Sequence, residues 1–109
     1  MELSFMDAFT LWCRAPYPSL GSTPELKSLR ADLGAADEQA SVVKAFLRTG
    51  RFRPSGADVL AELGDIVSRA DAMCAEYEGS DLEAAREIRA YAALLAVVYA
   101  GFLKEGESG

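Results

Sequence analysis

The 109-residue sequence contains no histidine and no asparagine, and it has only three lysines and two cysteines. Without histidine, the Ser/His/Asp and Cys/His catalytic arrangements, the histidine-bearing zinc sites and the commonest general base are all excluded. Cys13 and Cys74 are too few for a disulfide framework, and each falls in an apolar helical pattern that predicts a buried thiol serving as a small core residue. A nucleophile elbow, a phosphate-binding glycine loop and a Cys-x-x-Cys motif are also missing. No run shows the alternation and turn chemistry of a β-hairpin, and no internal repeat is visible.

Long apolar runs are scarce as well. The longest uncharged stretch, residues 90–103, has 14 residues, short of the roughly 20 that a membrane-spanning helix requires. Residues 1–14 lack a basic start followed by an apolar run, so no signal peptide is expected and the chain reads as soluble and cytoplasmic. Abundant alanine and arginine beside scarce lysine point to a GC-rich, bacterial coding bias.

What remains is an ordinary globular composition, 50% apolar and 26% charged, at a length that suits one domain with one core. The net charge of −6 argues against a general nucleic-acid or membrane-surface binder. The charge is uneven: residues 1–53 carry net +1 and residues 54–109 carry net −7.

Helical signals recur along the chain. Ser4 is placed to cap a first helix reaching Arg14, with Asp7 in its first turn and Phe5, Phe9 and Trp12 on one face. Residues 15–22, with Pro16, Pro18 and Gly21, read as an extended connector. Thr23 and Pro24 start a second helix bearing Leu26, Leu29 and Leu33, which Gly34 is expected to end or bend. A third, capped near Asp37, is expected to reach Gly50.

The fourth helix has the clearest pattern: Val59, Leu63, Ile66, Ala70, Met73 and Tyr77 recur at alternating steps of four and three, the mark of a bundle-packing face. Gly79 ends it, and Ser80 with Glu83 suggests a capping box for a fifth helix. Residues 90–103 of that helix are apolar all round, so they require burial at the centre of the domain or against another subunit. Residues 105–109 read as a disordered tail. The expected fold is all-α, a four- to five-helix bundle-like single domain.

Four groups of residues invite a functional reading. Lys44, Arg48, Arg51 and Arg53 surround Phe52, a pattern that suits an anionic ligand or a nucleic-acid backbone, although cations also gather at helix C-termini for the dipole alone. Glu76, Glu78, Asp81, Glu83 and Glu87 cluster at a turn but lack the spacing of a calcium loop, so no metal is expected there. Glu62 and Asp65 facing Glu83 or Glu87 would be the start of a magnesium-dependent nucleotide hydrolase, but Arg86 and Ala90 stand where the second pair needs acids. The aromatic first helix, Phe5, Phe9 and Trp12, either anchors a partner or lids its own core.

The expectation is a non-enzymatic, cofactor-free helical module that binds another protein as adaptor, regulator or inhibitor. It is expected to dimerise through the fifth or first helix. Asp58, Glu62, Asp65 and Glu76, on one side of the fourth helix, suit a basic partner.

Overall fold

Two capping hydroxyls start the first two helices where the sequence places them. In a computed structural model, which describes residues 4–47 and 57–108, the Asp7 amide donates to Ser4 Oγ at 3.2 Å and the Leu26 amide to Thr23 Oγ1 at 3.1 Å. The elements are α1 (Phe5–Arg14), α2 (Pro24–Leu47), α3 (Ala57–Glu76) and α4 (Gly79–Ser108), with no strand among the described residues. The fold is all-α, and α4 packs against each of the other three helices.

The core follows the helical periodicity. Leu26, Leu29, Leu33, Ala36 and Ala40 form the inner stripe of α2, and Val59, Leu63, Ile66 and Ala70 that of α3. Alternating steps of three and four keep each stripe on one side of its helix. On α4 the buried arc includes Ala85, Ile88, Ala92, Leu95, Val98, Tyr99 and Phe102. The apolar run at residues 90–103 is therefore the spine of the domain; among its described side chains those left exposed are Ala90, Ala93, Val97 and Ala100, on its outward side.

The structure corrects four sequence expectations. Gly34 does not divide α2, which continues to Leu47. A mid-helix glycine costs only about 1 kcal/mol, and here it makes room: a Cβ at Gly34 would lie 3.0 Å from the Tyr17 hydroxyl. Asp37 consequently caps nothing and sits inside a helix. Cys13 is exposed, because the inward side of α1 is taken by Ala8 and Trp12; Cys74 is half-buried. Finally, α4 begins at Gly79, ahead of the expected Ser80 cap, and extends to Ser108 through most of the expected tail. Gly79 itself has φ +65°, the left-handed conformation that reverses the chain between α3 and α4.

Candidate binding surfaces

Asp37 is half-buried beside the inner stripe of α2 and joins three helices at one atom. Its Oδ1 accepts from the Trp12 indole N–H at 2.8 Å and from the Tyr91 hydroxyl at 2.7 Å. Both donors are polar ends of otherwise buried rings, which need an acceptor when they leave water. Burial, followed by the hydrogen bond to Asp37, pushes the Tyr91 hydroxyl well above the ordinary tyrosine value of 10.0. Tyr91 thus stays a proton donor throughout the physiological range. Trp12, Cys13, Ala15, Asp37, Ser41 and Tyr91 line a cleft of about 230 Å³ that opens to solvent.

The connector before α2 is strapped down on the same side of the molecule. The Tyr17 hydroxyl donates to the Arg30 carbonyl at 2.9 Å, Arg30 Nε donates to the Pro18 carbonyl at 2.9 Å, and the Arg30 guanidinium lies 4.6 Å from the Tyr17 ring centroid. Further along, the Ser22 amide and hydroxyl both donate to Asp81 at 2.8 to 2.9 Å, and the Ser19 amide donates to Glu87 at 3.2 Å. Two acids of the predicted acidic turn are therefore occupied in holding the connector to α4.

A different surface forms where α2 meets α3. Glu25 and Asp32 lie seven residues apart on one face of α2, while Glu62, Asp65, Arg69 and Glu76 share a face of α3. Arg69 Nη1 donates to Asp32 at 3.1 Å and to Asp65 at 3.4 Å, setting these faces side by side. The result is a seam of five acids and one base. The Asp65–Arg69 pair follows from its i,i+4 spacing, whereas Asp32 gave no sign of its role in the sequence.

The other predicted residues distribute as follows. Glu62, Asp65 and Glu76 are exposed on the seam, and the side chain of Asp58 lies outside the described residues. Phe9 is half-buried and Trp12 buried; their rings meet each other and Phe102 edge-on, with centroids 5.9 to 6.1 Å apart. They are core groups in this structure, while the side chain of Phe5 falls outside the described residues. The anion-binding group lies outside them too: Arg48, Arg51, Phe52 and Arg53 entirely, and Lys44 in its side chain. Of the acids in the hydrolase reading, Asp65 is paired with Arg69 and Glu87 accepts from the connector's Ser19 amide. Among the described residues no three Cys, Asp or Glu side chains come together as a metal site.

Asp37 and Tyr91 are the residues that sequence reasoning missed. Their signal was an acid adjoining the Leu33–Ala36–Ala40 stripe, together with two aromatic donors, Trp12 and Tyr91, that required a partner. No helix of the described residues is long and apolar enough to cross a membrane. No protein-family model, curated protein or solved structure matches the chain.

Proposed function

We propose that the protein is a cytoplasmic helical interaction module that binds a basic partner protein and acts as its adaptor, regulator or inhibitor. The observation that carries this reading is the α2–α3 seam, where Glu25, Asp32, Glu62, Asp65 and Glu76 are countered, among the described residues, by Arg69. Charge of one sign along a helix pair speeds encounter with an opposite surface and selects against acidic competitors. The test is a Glu62→Lys, Asp65→Lys variant against partners recovered with the native chain. Association should slow by about tenfold or more and lose its dependence on salt; unchanged binding of every partner overturns the reading.

A second reading, self-association, is supported by the outward side of α4. Between Glu87 and Lys104 its exposed residues among those described are Ala90, Ala93, Val97 and Ala100, and Val97 remains 42% exposed. Small residues allow two helices to approach closely, and a two-fold pair would bury this stripe on both copies. Light scattering across a wide concentration range should give the mass of two chains, falling to one in Val97→Glu. A native chain that stays monomeric at every concentration removes the dimer.

A further inference from the structure

We infer that the Asp37 cleft is a binding site for an organic cation, an alkylammonium or guanidinium group. Three observations converge on this chemistry. Asp37 uses Oδ1 for both Trp12 and Tyr91, and its other oxygen, Oδ2, receives no hydrogen bond among the described residues. A carboxylate oxygen in a partly desolvated setting is a strong acceptor for a charged N–H. Beside it, Trp12 and Tyr91, which donate to Oδ1, join Cys13, Ala15 and the exposed Ser41 in the described lining, so this oxygen is left open toward the cleft.

The size and surroundings of the cleft agree with this occupant. A space of about 230 Å³ accepts the end of a lysine or arginine side chain, or a free amine of similar length. Arg30, seven residues before Asp37 on α2, is held by the Pro18 carbonyl and the Tyr17 ring. Its charge is thus engaged with the connector. Tyr91, kept protonated, contributes no negative charge of its own, so among the described lining residues Asp37 carries the single formal charge. One carboxylate in a small cleft suits a monovalent organic cation and offers too few oxygens for a hard metal ion.

The cleft is separate from the α2–α3 seam. Asp37 bonds to α1 and α4, whereas Asp32 bonds to α3, so the charge reversals at Glu62 and Asp65 leave it intact. Failure of one proposal therefore does not entail failure of the other.

The chain has one tryptophan, and it forms part of the cleft, so its fluorescence reports occupancy directly. Full-length protein is titrated with butylammonium, with butylguanidinium, with capped tripeptides centred on lysine or arginine, and with butanol as the uncharged control. The cations should give a saturable change that butanol does not. Asp37→Asn, which keeps an oxygen for Trp12 and Tyr91, should weaken it about tenfold or more. Ser41→Lys places a tethered ammonium at the exposed rim without altering those hydrogen bonds and should suppress binding in a protein of native helicity. Tighter binding of the tripeptides identifies a partner's side chain as the source, and tighter binding of the free amines a small molecule. No saturable response to any cation, an equal response to butanol, or undiminished binding in Ser41→Lys overturns the proposal.

Discussion

Gly21 and Gly64 are identical in composition and opposite in circumstance. A Cβ on buried Gly21 would stand 2.8 Å from the Cβ of Leu26, itself fully buried and unable to retreat. Gly64 lies in the middle of α3 on its exposed side, where a Cβ would meet nothing within 4 Å. Gly21→Ala should therefore destabilise the fold by about 1–3 kcal/mol through overpacking. Gly64→Ala should stabilise it by about 1 kcal/mol through helix propensity. Thermal denaturation of the two variants tests both signs at once. The same contrast explains where residue-level reading failed: Gly34 looks like a helix terminator, but its missing side chain serves the Tyr17 hydroxyl, a contact made across 17 residues that no local pattern reveals. Asp37 was misread for the same reason, since an acid three residues after a glycine resembles a cap until the partners of Trp12 and Tyr91 are known.

Between elements, the connector is held by side chains rather than by a core of its own. Asp81 receives the Ser22 amide and hydroxyl, which together hold its carboxyl below the ordinary value of 3.8, the amide being the larger cause. A carboxyl whose pKa is lowered by folding adds stability that is present above the unfolded value and lost as pH falls through the folded one. Asp81→Asn should accordingly melt below the native chain at neutral pH. The difference should shrink below about pH 4 and vanish once the Asp81 carboxyl is protonated in both the folded and the unfolded state. Melting curves across that range check the sign; a difference that persists undiminished in acid would assign the effect to packing. The element boundaries were the more legible part of the sequence, because Ser4, Thr23, Pro24 and Gly79 act on the backbone within a turn of themselves. The tie between Ser22 and Asp81 was not, since it spans 59 residues.

At the scale of the molecule, α4 dominates. Its 30 residues, at about 1.5 Å each, match the longest dimension of 45 Å. An uncharged stretch of such composition required burial, at the centre of the domain or against another subunit, and the fold places its inward side at the centre. Which surface would bear a function was less legible, because the seam and the cleft each depend on pairing α2 with a helix distant in sequence.

Since every other helix leans on α4, its central amides should exchange with solvent only when the whole domain opens. The ten residues of α1 are different: they rest on α4 through Phe9 and Trp12, are tied to α2 by the Trp12–Asp37 hydrogen bond and end in a connector, so they should lift away together as one subglobal unit. Such an opening would carry off the Trp12 wall of the cleft. An occupant gripping Asp37 would then act as a latch, slowing hydrogen exchange throughout α1, including turns it never contacts.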